Sequence, residues 1–171
     1  MSGLGLNEVE FGAAAGVATA VRVANQFVTF STGERSFGID IMAVREIRSW
    51  SPTTELPGQP RGATGVLDIR GSVVQVFDLR TLINGKSGGE GQAGQVVLVV
   101  ALRDQEVGIL VDAVSDIIFA NSEDMRAAPP LGDDVHHSVI SGLIKTEERL
   151  IAILDLDTLF PPPGARQVAF V

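Results

Sequence analysis

The sequence predicts an all-β protein made of two copies of one strand unit. Three observations carry that prediction. Apolar residues alternate with polar or small ones over short stretches, and turns containing Gly or Pro separate the stretches. Four anchor groups recur in the same order in the two halves of the chain. Each unit spans only about 60 residues and would be marginal alone, so two such units are expected to share apolar surface.

The repeat is read directly from residue spacing. Phe37-Gly38-Ile39 leads to Val44-Arg45-Glu46-Ile47, and Val107-Gly108-Ile109 leads to Val114-Ser115-Asp116-Ile117. The step from the Gly to the last Ile is nine residues in both. Gly65-Val66-Leu67 leads to Val74 through Leu79, and Gly142-Leu143-Ile144 leads to Ile151 through Leu156. The step from Gly65 to Leu79 is 14 residues, as is that from Gly142 to Leu156. Thr81-Leu82-Ile83 and Thr158-Leu159-Phe160 close the halves. A twisted sheet of about five strands tends to close into a small barrel, which removes its edges. One larger β-sandwich of the same strands is the alternative.

The elements follow in order. Residues 1–25 read as a tail, with Phe11 to Val21 small and apolar; a frayed end or a short Ala-rich helix is expected. Glu8 and Glu10 stand where a secretory signal would carry basic residues. Phe27 to Phe30 is strand-like, Thr32-Gly33-Glu34 is a turn, and Phe37 to Ile41 resumes a strand. Pro52, Pro57, Gly58 and Pro60 make Ser51 to Arg61 a loop. Val73 to Leu79 is a strand followed by a short helical stretch, Arg80 to Ile83. Asn84 to Gly94 is a Gly-rich connection. Gln95 to Leu102 and Val107 to Val111 are strands around Arg103-Asp104-Gln105. Pro129 to His137 is a second long loop, Leu150 to Leu156 the last strong strand, and Pro161-Pro162-Pro163-Gly164 the stop. The units divide as a first barrel at 26–94 and a second at 95–160, with an exchange of strands allowed, and 161–171 as a C-terminal tail. Met1, the tail and the Pro-rich stop suggest a free-standing protein rather than a piece of a larger kinase.

Composition removes several functions. The 171 residues carry 13 Lys+Arg against 21 Asp+Glu, a net charge of -8, with no dense basic run. Nucleic-acid backbone binding needs the opposite balance. There is no Cys, hence no disulfide, thiolate zinc site or cysteine nucleophile. The longest wholly apolar run, Val96 to Leu102, is seven residues, against the roughly 20 of a spanning helix. No membrane insertion is expected, and a cytoplasmic location is.

The candidate catalytic motifs are weak. Gly89-Glu90-Gly91-Gln92-Ala93-Gly94 has the spacing of a dinucleotide fingerprint but precedes a strand, where no helix N-terminus can face a pyrophosphate. Gly85-Lys86-Ser87 ends like a phosphate loop, yet Arg80 occupies the position that motif gives to Gly. Asp133-Asp134-Val135-His136-His137 holds metal-ligand types, but adjacent imidazoles on an extended loop chelate poorly. No serine elbow is present, and Asp112/Asp116 and Asp155/Asp157 read as turn caps or solvated acids. The expectation is no catalysis, no cofactor and no metal. A metal enzyme using His136 and His137, or a domain holding a small molecule between the barrels, are the competing readings. What remains is a surface. Ile41, Val44, Glu46, Ile47 and Arg48 mix apolar and charged side chains on one strand. Arg70 stands at a strand-to-turn step before Gly71, placed to grip a partner or to pair with Asp68 or Asp78 internally.

These residues resemble the CheW family, the coupling proteins of bacterial chemotaxis. The resemblance rests on Phe37-Gly38-Ile39-Asp40-Ile41-x-x-Val44-x-Glu46-Ile47-Arg48, Leu56-Pro57-x-x-Pro60, Gly65-Val66-x-x-Ile69-Arg70-Gly71 and Val76-Phe77-Asp78-Leu79-Arg80. It continues in Val107-Gly108-Ile109-x-Val111-Asp112-x-Val114-Ser115-Asp116 and in Gly142-Leu143 to Asp155-Leu156. It covers 26–160. It implies two intertwined five-stranded barrels, each like an SH3 fold, and a non-enzymatic adaptor, monomeric when free. The adaptor would bridge the cytoplasmic tip of a methyl-accepting chemoreceptor to the regulatory domain of the histidine kinase CheA, with recruitment to membrane receptor clusters. By similarity, Ile41, Val44, Glu46, Gly65 and Arg70 fall at or near the receptor groove, with Val96 and Val97 at its far wall. The kinase contact is expected at an end of the second barrel. A parallel kinase pathway, such as surface motility, is the alternative output. The chain departs from the family at Asp68, where Asn is usual, at Gln75, where Pro is frequent, and at Arg61-Gly62-Ala63-Thr64, which lacks bulk.

Overall fold

A computed structural model of the chain describes residues 25–85, 91, 93–128 and 139–160. The expected tails lie outside the described residues, apart from Asn25. Most of the Gly-rich connection lies outside them too, as does the 129–138 loop with His136 and His137. Eleven strands are described: β1 Asn25–Thr32, β2 Arg35–Asp40, β3 Val44–Ser49, β4 Ala63–Ile69, β5 Ser72–Asp78, β6 Val96–Leu102, β7 Gln105–Val111, β8 Ala113–Ala120, β9 Met125–Arg126, β10 Ile140–Lys145 and β11 Leu150–Leu154. Two short helices follow β5 and β11, α1 Leu79–Asn84 and α2 Leu156–Leu159.

The strands form two sheets. One runs β3-β6-β7-β5-β4, the other β9-β10-β11-β2-β1-β8. Each therefore mixes both halves of the chain. The β1–β2 hairpin joins the second half's strands, with β2 parallel to β11, and the β6–β7 hairpin joins the first half's, with β7 parallel to β5. Strands are exchanged between the parts of the chain on either side of residues 94 and 95. The physical reason lies in the two hairpins. Their strands are buried almost continuously, with Phe27 to Phe30, Phe37 to Ile39, Val97 to Val100 and Val107 to Val111 all out of solvent. A strand with two apolar faces must be covered twice. One face fills a barrel interior and the other packs against the opposite hairpin.

Three apolar clusters match this. Leu67, Ile69, Val74, Val76, Val97, Val99 and Leu110 fill the first barrel. Phe27, Ala120, Ile144, Ile151 and Ile153 fill the second. Phe30, Phe37, Ile39, Leu98, Ile109, Leu154 and Phe160 join strands of both sheets. The first sheet closes on itself because the chain leaving β3 returns to β4 at Thr54. There the Thr54 N–H donates to Val66 O at 2.9 Å and the Val66 N–H to Thr54 O at 2.8 Å. In the second sheet β8 runs through a turn at Ser122–Asp124 into β9, which pairs with β10. The structure thus has two sheet units, one of five strands and one of six where five each were expected, the sixth being the two-residue β9 that continues the course of β8.

The repeat extends to hydrogen bonds. Asp78 and Asp155 each accept a backbone N–H two residues on, at 3.0 and 3.1 Å, and so cap α1 and α2. The Asp78 N–H donates to Gly62 O and the Asp155 N–H to Val139 O. The three-strand row Gly65–Val76–Gly108 in one barrel is matched by Gly142–Ile153–Gly38 in the other. The aligned glycines of the sequence repeat thus flank one buried apolar side chain in each barrel.

Candidate functional site

β3 alternates along its length. Val44, Glu46 and Arg48 are half-buried, while Arg45, Ile47 and Ser49 are exposed. Glu46 pairs across the sheet with Val99 of β6, and a bulge separates it from Val44. The bulge turns β3 at the barrel mouth, a common device for aiming a side chain. Opposite lies the two-residue turn Arg70-Gly71 between β4 and β5. Both residues have positive φ, 54° and 84°, the signature of a tight hairpin turn that favours Asn or Gly at its first position. The Gly71 N–H donates to Asp68 Oδ1 at 2.9 Å and fixes the turn. Arg70 therefore holds a backbone shape that bulky residues seldom adopt.

Its side chain reaches back over the mouth. Arg70 Nη2 lies 3.3 Å from Glu46 Oε1, and Arg48 Nη1 lies 3.7 Å from Glu46 Oε2. The Arg70 side chain is 79% exposed, Glu46 only 21%. Arg48 Nε is buried without a hydrogen-bond partner. Two guanidinium groups thus face one carboxylate, with donors left open. A second carboxylate, Asp68, stands at the base of the turn, so the corner is mixed in charge. The pairing expected with Asp68 or Asp78 does not form: Asp68 is engaged by Gly71, and Asp78 caps α1.

The other expected site residues separate into two groups. Ile41 is half-buried in the 3-10 turn Ile41–Ala43, next to exposed Met42, and Val44 packs against the inter-barrel core. These two border the charged corner along the chain. Val96 is half-buried and Val97 is fully buried among Leu67, Val76 and Leu110. Val97 cannot touch a partner; its backbone pairs with Arg48, so it lies behind the site. Gly65 is also buried. A Cβ there would sit 2.6 Å from Thr54 O and 2.8 Å from Thr53 Oγ1. Gly65 is part of the barrel seam rather than of the exposed surface.

The repeat places Asp116 of β8 where β3 has Glu46, and this second site was missed in the sequence. Arg149, in the turn before β11, puts Nη2 2.8 Å from Asp116 Oδ1. The Thr29 hydroxyl donates to the Asp116 carboxylate and accepts from Arg149 Nη2 at 3.2 Å. The Thr29 bond is the main cause of an Asp116 carboxyl held below the ordinary range; it outweighs the upward push of burial, and Arg149 adds a bond and a charge. Asp112 likewise pairs with Arg80 at 2.8 Å, and Asp157 with Arg103 at 3.2 Å. These acids are partners in ion pairs, not merely solvated groups.

Among the described residues no cluster of three or more His, Asp or Glu could hold a metal. Nor is any helix among them long and apolar enough to cross a membrane. The cleft between Leu56, Val73, Gln75, Glu106 and Phe160 mixes charged and apolar walls, unlike the enclosed apolar pocket expected of a small-molecule site. The molecule is of the class of double-barrel interaction modules. Its family is shown by comparison. The family model of the CheW-like domain matches residues 26–162. A chemotaxis protein CheW of Rhizobium meliloti is 35% identical over 136 residues, covering 80% of this chain and 87% of its own length. The CheW of Klebsiella aerogenes is 32% identical over 150 residues, covering 85% and 90%. The crystal structure of the scaffolding protein TtCheW from Thermoanaerobacter tengcongensis superposes with a TM-score of 0.73 at 27% identity, over 82% of this chain and 90% of that one. The chain belongs to the CheW family and is a chemotaxis coupling adaptor.

Proposed function

We propose that this adaptor acts without catalysis in the cytoplasm, as a monomer when free. It would hold the tip of a methyl-accepting chemoreceptor and the regulatory domain of the kinase CheA at fixed spacing. The receptor contact is the corner of Ile41, Val44, Glu46 and Arg70, joined by Arg48. The observation that carries this reading is Arg70. It sits at a positive φ, is 79% exposed, and faces a carboxylate shared with a second arginine. Backbone strain of this kind concentrates at functional positions, and a planar guanidinium with open donors suits a partner carboxylate. Gly65 and Val97 act indirectly, by holding the seam and the strand behind the corner. The kinase contact falls on the second barrel, so that both partners bind one molecule together. A receptor can shift the kinase only by binding its two states unequally.

Calorimetric titration with the kinase regulatory domain and with a soluble receptor-tip fragment tests the scheme. Each should bind one to one, and the two together without competition. Arg70→Ala should weaken the receptor fragment by about tenfold or more and leave the kinase domain unaffected. Equal weakening of both, or of neither, would refute the placement of the receptor contact.

A further inference from the structure

We propose that Val99 is a positioning residue for the partner contact: its lack of a hydroxyl keeps Arg70 free to leave Glu46. This rests on the receptor-contact reading above and adds what sets its strength. The argument comes from the repeat. Val99 of β6 and Thr29 of β1 occupy equivalent places, opposite Glu46 on β3 and beside Asp116 on β8. Each lies within one residue of a bulge, between Val44 and Glu46 or between Val28 and Phe30. Both side chains are buried, Val99 at 1% exposure and Thr29 at 0%.

Val and Thr are nearly isosteric and differ by one polar atom. In the second barrel that atom closes a ring. The Thr29 hydroxyl donates to Asp116 and accepts from Arg149, and the arginine comes to 2.8 Å of the carboxylate. The arginine there is mostly covered, at 29% side-chain exposure. In the first barrel the methyl groups of Val99 face the core cluster of Val76, Val97 and Leu110. Glu46 receives no hydroxyl, its arginine stands off at 3.3 Å, and that arginine remains exposed. Each mouth carries an acid–arginine pair, with Arg149 standing at the hairpin place that Ser72 fills in the first barrel, and the residue beside the acid decides whether the arginine is fastened. A partner carboxylate must draw Arg70 away from Glu46, so a fastened Arg70 binds less well.

The test uses the full chain and four variants: Val99→Thr, Val99→Ala, Arg70→Ala, and Val99→Thr combined with Arg70→Ala. The probes are a soluble receptor-tip fragment and the kinase regulatory domain, titrated by calorimetry, with thermal midpoints recorded. Val99→Thr should weaken the receptor fragment three- to tenfold and leave the kinase domain unchanged. Adding it to Arg70→Ala should cause no further loss, because it acts through Arg70. Val99→Ala should lower the midpoint by leaving a gap and leave receptor affinity intact. Wild-type affinity in Val99→Thr, with Arg70→Ala weakened, would overturn the role of Val99 and leave the receptor contact standing. Parallel losses with both probes, or an equal loss in Val99→Ala, would mean that residue 99 acts only by packing. Wild-type affinity in Arg70→Ala would overturn both.

Discussion

The mouths of the two barrels carry the same pair of charges and hold them differently. In the second barrel, Arg149 and Asp116 meet at 2.8 Å and share the hydroxyl of Thr29. In the first, Arg70 stands 3.3 Å from Glu46, exposed on a strained turn, and a second arginine competes for the carboxylate. The scaffold that places these groups is nearly identical, down to the bulge beside each acid. What differs is the neighbour, Thr29 against Val99, and where the arginine stands in hairpins of equal length: Arg70 is in the two-residue loop itself, whereas Arg149 lies just past it, where its carbonyl accepts from the Thr146 N–H at 2.9 Å. A duplicated fold thus keeps one copy of a polar pair for its own cohesion and leaves the other at the surface. The fastened pair is a structural element; the loose one is the receptor contact proposed above.

The largest effect separates the two barrel seams. Gly65 and Gly142 are equivalent by the repeat, but their surroundings are not. A Cβ on Gly65 would meet the Thr54 carbonyl at 2.6 Å, and that carbonyl closes the barrel. A Cβ on Gly142 would meet Met125 Sδ at 2.5 Å and Cγ at 2.7 Å, atoms of a flexible side chain that can swing aside, and would come no nearer to backbone than the Arg126 carbonyl at 3.1 Å. Gly65→Ala should therefore cost about 2–4 kcal/mol and Gly142→Ala about 1 kcal/mol or less. Denaturant melts of the two variants measure this. Equal losses would show that the second seam is as rigid as the first.

How much of this was legible follows from where the determinants lie. The repeat, the strands and the short helices were readable because alternation, Gly and Pro are local signals. The exchange of hairpins was left open, since it depends on both faces of β1, β2, β6 and β7 finding cover, which is a tertiary outcome. Glu46 and Arg70 were legible as a charged residue on a mixed strand and an Arg before a turn Gly. Their mutual pairing was not, because Asp68 and Asp78 are closer in sequence. The Thr29–Asp116–Arg149 ring was missed for the same reason: partners 33 to 120 residues apart leave no spacing signal. The one clue available was the alignment of Asp116 with Glu46, which the repeat itself supplies. Val97 was placed at the wall of the groove by family resemblance alone, which does not say which face of a buried strand is outward.

A middling effect distinguishes the two arginines by stability. Arg149→Ala should lower stability by about 1 kcal/mol, because it strips a partner from both Asp116 and the buried Thr29 hydroxyl. Arg70→Ala should fall within about 0.5 kcal/mol of wild type, as exposed ion pairs contribute little. Replacing Arg70 should even relieve some strain if Asn takes its place, since Asn tolerates positive φ better. Thermal or denaturant unfolding of both variants checks this. A destabilised Arg70→Ala protein would make Glu46–Arg70 a structural pair, and the contrast between the mouths would fail.

The smallest effect is the pH dependence of the fastened pair. Asp116 carries a carboxyl held below its ordinary value, chiefly by the Thr29 hydroxyl. A group with a depressed folded pKa contributes stability that is complete above its unfolded value, about 4 for an aspartate, and that is lost as pH falls through the folded value. The stability gap between wild type and Asp116→Asn should therefore stay constant from neutral pH down to about pH 5. Below that it should narrow and then close as the wild-type carboxylate takes up a proton. The gap should be small, because the Asp116 side chain is 59% exposed and solvent screens its charge. Raising salt should shrink the part due to Arg149 and spare the part due to the Thr29 hydrogen bond, which is short-ranged. Thr29→Val should remove most of the acid dependence and loosen Arg149 from Asp116, and so convert the second mouth toward the state of the first. If Asp116→Asn and wild type keep a constant gap down to pH 2, or if Thr29→Val leaves the acid dependence intact, then the hydroxyl is not what fastens the pair, and Val99 does not explain why its counterpart is loose.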